Sequence, residues 1–410
     1  MKPDEIADLK RRFDIEFSRS ETGEYPAAFP ALPPVPVGRY TDPRFYELEQ
    51  QHIWSKSWLI VGHAGELPEP GCWKLWNRAG FPALIVRGKD MKIRAFYNSC
   101  RHRGASLIRG TSGTTKVLDC KFHGWTYDLA GQLIFVPAEH EFPGLDKAAN
   151  GLVPLRCEMW GNLIFVNRDM DALPLMQHLG KAAEQLVDFD FDKRRICAIL
   201  PYDLPCNWKI IMDAFQESYH LDATHVRSVA PFLDYRGSVI EMWPNGHSAL
   251  TVPGRRELSK LGDQFVLDAG SKSDDPRHEL TRTANISFTI FPNIIGTCAE
   301  FQFPMLAFWP TGIGTTHVEI IITEPQDCPD MDPAIAKTTI ERFAAVMQED
   351  MSNVAAVQES FDCGAVREIQ LGYLERRIYQ FHEELERRIG SQNIPPELQI
   401  RPMLGAYIEH

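Results

Sequence analysis

Between Trp58 and Val166 short apolar runs alternate with turn residues, the pattern of β-strands rather than helices. The runs are Trp58–Val61, Gly71–Leu75, Pro82–Arg87, Ile93–Tyr97, Val117–Asp119 and Asn162–Phe165, and they predict a small all-β domain. Before them, residues 42–58 space Tyr46, Leu48, Ile53 and Trp54 as a helix would. Residues 1–20 are charged with helical periodicity. Pro26, Pro30, Pro33, Pro34 and Pro36 make residues 25–37 an extended arm, either a solvated linker or one lying on a neighbouring subunit. After the all-β stretch the pattern is mixed. Helices are expected over 174–188, from Asn207 to about Leu221, over Ala334–Phe361 and over Leu371–Ile389. Strands are expected over Arg195–Tyr202 and, after a polar loop, over Ser287–Phe291, Ile294–Thr297, Glu300–Phe308 and Thr316–Thr323. This order predicts an α+β fold. The expected division is 1–44 as an arm and helix belonging to the larger domain, 45–166 as the all-β domain, and 167–410 as the larger domain.

The helix expected over 334–361 carries one anomaly. Phe343, Val346, Met347, Val354 and Val357 form an apolar stripe, and Asp350 falls inside it. A carboxylate on a buried face is costly unless it is paired or bound to a metal. Asp350 is therefore a candidate ligand. Its neighbour Glu349 points off the stripe, is expected to be solvated, and is the fallback.

Composition narrows the function classes. At 410 residues with 44% hydrophobic and 24% charged, the chain is ordinary for a globular protein. A net charge of −12 argues against a nucleic-acid or acidic-membrane partner. There is no run long and apolar enough to cross a membrane, and the polar start Met-Lys-Pro-Asp-Glu has no apolar signal core. The sequon at Asn285 therefore carries little weight. Nine cysteines show no disulfide framework, so free thiols in a cytoplasmic protein are expected. With no P-loop and no G-x-G-x-x-G after a strand, NAD(P)H and flavin are assigned to a separate reductase.

Two constellations carry chemistry. Cys100 and His102 form C-x-H, and seventeen residues on, Cys120 and His123 form C-x2-H. Soft thiolates and borderline imidazoles in two mixed pairs suit a [2Fe–2S] centre with two Cys on one iron and two His on the other. A structural zinc site is the plainer alternative, but zinc fingers usually pair like with like. Gly104 and Gly124 follow the two His and allow close approach of the loops. The second stretch runs from Asn207-Trp208-Lys209 through Glu217 and His220 to His225. Glu217 and His220 share a helical face; His220 and His225 reach one metal if the helix ends near Leu221. Two His and one carboxylate make the facial triad of non-haem iron sites.

Cys100-Arg101-His102-Arg103-Gly104, Cys120-Lys121-Phe122-His123-Gly124-Trp125 and the Asn207–His225 stretch together resemble the large (α) subunits of Rieske non-haem iron ring-hydroxylating oxygenases. The resemblance runs from about Tyr40 to Phe361. It implies a Rieske domain set into a helix-grip catalytic domain, with a Rieske [2Fe–2S] cluster, mononuclear Fe(II) and O2 as co-substrate. It supports Asp350 as the third ligand. It also implies that Glu217 links His220 to His123 of an adjacent subunit in a homotrimer, fed by a ferredoxin or flavin reductase. Ala214 stands where many relatives have Asn; Asp213 either supplies that polar lining or is a helix-surface acid. Met212, Phe215, Phe288, Phe291, Phe301, Phe303, Phe343 and Met347 are candidate pocket residues, with core packing the alternative for each. Such a lining suits a small aromatic substrate, or equally a quaternary ammonium held by cation–π contacts. Expected reactions are hydroxylation, cis-dihydroxylation or oxidative demethylation; a pure electron-transfer Rieske protein is the alternative of a different class.

Overall fold

The computed structural model describes residues 3–256, 279–299, 301–327 and 333–409. Glu300, named above, lies outside the described residues. Two compact units form: Trp54–Leu175, and Met1–Ile53 together with Met176–His410. The smaller unit starts later than expected because residues 43–53 pack with the larger one. There the fully buried Glu49 receives Lys209 Nζ at 2.6 Å and Trp208 Nε1 at 3.3 Å.

The larger unit opens with α1 (Pro3–Thr22), the short strand β1 (Val35–Pro36), α2 (Gly38–Thr41) and α3 (Pro43–Glu49). The Pro-rich arm is not a free linker: it packs on its own chain. Phe29 is buried among Tyr25, Tyr373 and Tyr407, and Val35 pairs with Ile369 in β19 (Glu368–Ile369).

The smaller unit is all-β: β2 (Leu59–His63), β3 (Cys72–Arg78), β4 (Phe81–Arg87), β5 (Ile93–Tyr97), β6 (Ser112–Thr114), β7 (Leu118–Asp119), β8 (Thr126–Tyr127), β9 (Leu133–Phe135), β10 (Pro154–Trp160) and β11 (Leu163–Asn167). A seven-stranded antiparallel sheet runs in the order β2-β11-β10-β5-β4-β3-β6, and β7-β8-β9 form a second sheet. Phe96, Leu107, Leu118, Trp125 and Tyr127 share its core with Cys100 and Cys120.

In the larger unit, α4 (Leu175–Leu179) and α5 (Lys181–Gln185) replace the single helix expected over 174–188, because Gly180 at φ 44° breaks it. Then come β12 (Arg194–Leu204), α6 (Trp208–Ala214), α7 (Leu221–Thr224), β13 (Val239–Met242), β14 (Ser248–Pro253), α8 (Glu279–Thr283), β15 (Ala284–Ile290), β16 (Ile294–Thr297), β17 (Phe303–Gly312) and β18 (Thr315–Pro325). The expected polar loop thus hides two buried strands, β13 and β14. The sheet runs β12-β18-β17-β16-β15-β14-β13, antiparallel throughout. Helices α9 (Pro333–Met351), α10 (Val354–Asp362) and α11 (Arg376–Ile389) complete it. The long helix expected over 334–361 is two helices broken after Met351; Val354 beyond the break is still buried at 3%, but Val357 is 36% exposed.

Register fixes what each face of this sheet meets. Arg377 of α11 donates to Ser248 Oγ and Thr289 Oγ1, both at 2.7 Å, so Thr289 faces α11. Through the pairs Thr289–Ile295 and Ile295–Leu306, Phe308 shares that face. Phe288 and Phe303 lie on the opposite face.

Candidate metal centres

Two hairpin tips of the smaller unit make the same turn. Cys100 N donates to Ala105 O at 2.8 Å and Gly104 N to Cys100 O at 2.9 Å; Cys120 N donates to Trp125 O at 2.8 Å and Gly124 N to Cys120 O at 2.9 Å. Each glycine sits four residues past its cysteine, at φ 74° and 73°, where any other side chain is strained. The turns bring the His102 and His123 rings to 4.6 Å between centroids. The thiols are 3% and 2% exposed, while both imidazoles are part-exposed. Tyr127 Oη accepts from Arg101 N at 3.0 Å and lies 3.3 Å from Cys100 Sγ. His102 stacks on Trp125 at 4.9 Å, and its Nδ1 is buried with no partner among the described residues. Burial, with His123 and Arg103 beside it, lowers its pKa and keeps the ring neutral, as a ligand must be. An unsatisfied buried nitrogen and paired deep thiols fit a Rieske cluster.

The second centre is not built on one helix. α6 stops at Ala214, so the expected shared helical face of Glu217 and His220 is instead a turn. The Glu217 carboxylate closes that turn, accepting from Tyr219 N and from His220 N at 3.1 Å. Its other oxygen lies 2.5 Å from His220 Nδ1. His225 ends α7, and α9 brings Asp350. Asp350 Oδ1 is 3.0 Å from His225 Nε2 and 3.4 Å from His220 Nε2, and the ligand atoms of all three residues lie within 4.8 Å of one another. Asp350 and His225 are 5% and 3% exposed.

Glu349 is not the solvated neighbour expected. The same helix turn aims it at the other side of His225, where Oε2 lies 2.6 Å from Nδ1 and accepts from Ser228 Oγ at 2.5 Å. Both His therefore have Nδ1 fixed by a carboxylate and Nε2 turned to the shared point. That is the outer support metal-binding His usually has. Burial disfavours charge on His225, yet Asp350 and Glu349 together raise its pKa, so the site attracts positive charge. His225 and Ser228 hold Glu349 below the usual carboxylate range. Glu349→Gln should weaken mononuclear iron binding about 10- to 100-fold, read by titration against a competing chelator. An unchanged affinity would make the Glu349 contact incidental.

Asp213 is not a helix-surface acid. It points inward, and Oδ2 accepts from Tyr40 Oη at 2.6 Å. Burial pushes its pKa up to about 7, with Glu375 and Glu217 adding to the rise and Tyr40 and Lys209 opposing it. Tyr40, Arg39 and His382 around it carry no motif or periodicity; only tertiary contact reveals them.

The candidate pocket residues divide. Phe215 packs on Phe308 at 5.8 Å, which puts it on the α11 face with α6. Phe288 and Phe303 are fully buried: their tilted rings lie 5.7 Å apart on the other face, and Phe303 packs on Phe189 and Phe191 at 5.2 and 5.1 Å. Phe291 is also packing, 5.5 Å from Phe381 with the Arg388 guanidinium 4.4 Å over its ring. Met212 is wholly buried and Phe301 is 9% exposed. Met347, one turn before Asp350, and part-exposed Phe343 remain beside the ligands on α9.

Residues 57–152 match the Rieske [2Fe-2S] domain, and residues 191–391 the ring hydroxylating alpha subunit (catalytic domain). The carnitine monooxygenase oxygenase subunit of Acinetobacter pittii is 33% identical over 325 residues, 78% of this chain and 82% of the relative. Biphenyl 2,3-dioxygenase subunit alpha of Rhodococcus jostii is 38% identical over 192 residues, 45% of this chain; the match spans only 42% of that relative's length. Among solved structures, a quaternary ammonium Rieske monooxygenase in complex with L-carnitine superposes with TM-score 0.72 at 24% identity, covering 89% of this chain and 99% of the other. Naphthalene 1,2-dioxygenase from Rhodococcus sp. superposes with TM-score 0.71 at 19% identity, covering 93% and 98%. With a Rieske domain, a ring-hydroxylating catalytic domain and a relative aligned over most of both lengths, the chain belongs to the family of α subunits of Rieske ring-hydroxylating oxygenases.

Proposed function

We propose that the chain is the terminal oxygenase component of a multi-protein system. Cys100, His102, Cys120 and His123 would hold the [2Fe–2S] cluster, charged by a ferredoxin or flavin reductase that draws on NAD(P)H. His220, His225 and Asp350 would hold Fe(II). The observation that carries this is the convergence of two carboxylate-backed Nε2 atoms and one carboxylate oxygen within 4.8 Å. Bound there, Fe(II) supplies open positions for O2, and that chemistry is the metal's. The residues do the rest. Glu217 and Glu349 fix the imidazole tautomers, and the burial of His225 and Asp350 keeps water from competing for their ligand atoms.

The substrate is a small organic molecule. Carnitine monooxygenase subunits align over most of both chains, whereas the biphenyl dioxygenase match covers less than half of either. That contrast favours oxidative demethylation or C–N cleavage of a quaternary ammonium as the second reading beside hydroxylation of an aromatic ring. Turnover under labelled O2, with a reductase and a panel of betaines, aromatic acids and phenyl compounds, tests both. A reduced protein that consumes O2 with none of them and binds no mononuclear iron refutes the oxygenase reading.

The assembly we propose is a homotrimer in which Glu217 passes electrons to His220 from His123 of another subunit. Glu217→Gln should keep both metals and slow the transfer by orders of magnitude. His123→Ala chains reassembled with Glu217→Gln chains should recover part of the activity. No recovery in proven mixed rings means transfer within one chain.

A further inference from the structure

The candidate iron ligands come from two stretches of chain. His220 and His225 follow α6, and Asp350 lies in the last turn of α9. Away from the ligands, the two stretches meet at Asn207, the residue that begins α6. Its backbone N–H donates to Gln358 Oε1 of α10 at 2.7 Å. The Asn207 side chain is used as well. Oδ1 accepts from Lys209 N at 3.0 Å and caps α6, while Nδ2 donates to Tyr40 O at 2.9 Å and to Ile313 O at 2.7 Å. Tyr40 in turn packs its ring on Phe361 of α10, with 5.4 Å between centroids. Asn207 and Gln358 are 1% and 7% exposed. The start of the Asn207-Trp208-Lys209 stretch thus seats α6 on α2, on the β17–β18 turn and on α10.

The Gln358 amide is held at both ends, because Nε2 donates to Asp362 Oδ1 at 2.8 Å one turn on. A shift of this amide would leave the buried Asn207 N–H without an acceptor. The elbow between α9 and α10 carries that constraint to the ligand. It is made of Ser352 and Asn353, and both reach back over the last turn of α9. Ser352 Oγ donates to Glu349 O at 2.8 Å, Asn353 Nδ2 to Glu349 O at 3.4 Å and Asn353 N to Asp350 O at 3.3 Å. Glu349 and Asp350 are the two carboxylates that face His225. Met347, Met351 and Val354 bury the elbow, but apolar burial has no direction, whereas a hydrogen bond does. A metal centre needs its ligands held to within about 0.5 Å.

We propose that Gln358 is a positioning residue for the mononuclear metal centre: by accepting the Asn207 N–H it fixes the α9–α10 elbow on α6 and sets the reach of Asp350 to His220 and His225. This rests on the oxygenase reading, which places iron there. Gln358 makes no hydrogen bond to a ligand and acts through α10 and the elbow.

The Fe(II) affinity of the full chain, measured against a competing chelator without oxygen, separates positioning from plain stability. Gln358→Leu keeps an apolar stem of similar size but offers Asn207 no acceptor. It should bind mononuclear iron about 10-fold more weakly than the wild type, and the electron paramagnetic resonance signal of the nitric oxide adduct should change symmetry. Gln358→Glu keeps an acceptor but sets a carboxylate against Asp362, so it should lose affinity too. Adding Asp362→Asn to Gln358→Glu reverses that one hydrogen bond and should restore affinity and signal to near those of the wild type. A lowered Tm in Gln358→Leu with affinity and signal unchanged overturns the proposal, because the residue is then a stability contact only. So does a folded double variant that binds iron no better than Gln358→Glu. Should Gln358→Leu fail to fold, Gln358→Glu against the double variant still decides. A wild type that takes up no mononuclear iron sinks the oxygenase reading as well; iron bound alike by the wild type and every variant sinks this proposal alone.

Discussion

His225→Ala and Asp350→Ala should each remove the mononuclear iron and all turnover while leaving the Rieske absorption intact. The two residues face one point, with Asp350 Oδ1 3.0 Å from His225 Nε2. Both are almost fully buried, His225 at 3% and Asp350 at 5% exposed. Loss of a ligand should exceed the about 10- to 100-fold cost of losing an outer partner such as Glu349. Without a metal, Asp350 is a carboxylate buried against two imidazoles. Removing it leaves their Nε2 atoms unpaired, a destabilisation of about 1–3 kcal/mol. Iron analysis and the visible spectrum together decide the matter. Should Asp350→Ala retain its iron while Glu349→Ala loses it, the ligand assignment passes to Glu349.

Cys120→Ala should abolish the cluster spectrum and unfold the smaller unit at a much lower temperature. Thiol truncation at a buried site costs about 1 kcal/mol through the lost contacts alone. Cluster ligation is coupled to folding, so losing it removes far more. The core around Cys100 and Cys120 also holds Leu118, Trp125 and Tyr127, and it would be left around an empty space. A Tm close to that of the wild type together with an unchanged visible spectrum would refute the cluster ligands. His123→Ala should lose the spectrum too but unfold less, because its ring sits nearer the surface.

The candidate ligands are plain in the sequence and the groups that support them are not. Mixed Cys and His pairs at short spacing define a cluster before any fold is known, and short strands between turn residues define the domain that holds them. Asp350 was legible because a carboxylate inside an apolar stripe contradicts its surroundings. The role of Glu349 was hidden by the same reasoning. Periodicity says which face a residue takes, not what stands opposite, and His225 comes from another part of the chain. The helix expected over 207–221 overran for a related reason. Glu217 closes its turn by accepting backbone N–H groups two and three residues on, a local choice that apolar spacing does not encode. β13 and β14 escaped because each is short and Pro244-Asn245-Gly246 sits between them. The pocket candidates fell on both faces of the sheet because strand alternation gives two faces but not which one the helices carrying the candidate iron ligands cover. Tyr40 and His382, far apart in sequence, gave no signal at all.

The identical turns at Cys100 and Cys120 give the cluster a wired side and an insulated side. The sulfur end lies under Leu107, Leu118 and Tyr127, deep in apolar packing. The imidazole end comes near the surface at His102 and His123, with Phe122 58% exposed beside it. Electrons would enter and leave such a cluster at its imidazole end, and the buried sulfur end would serve as its anchor in the domain.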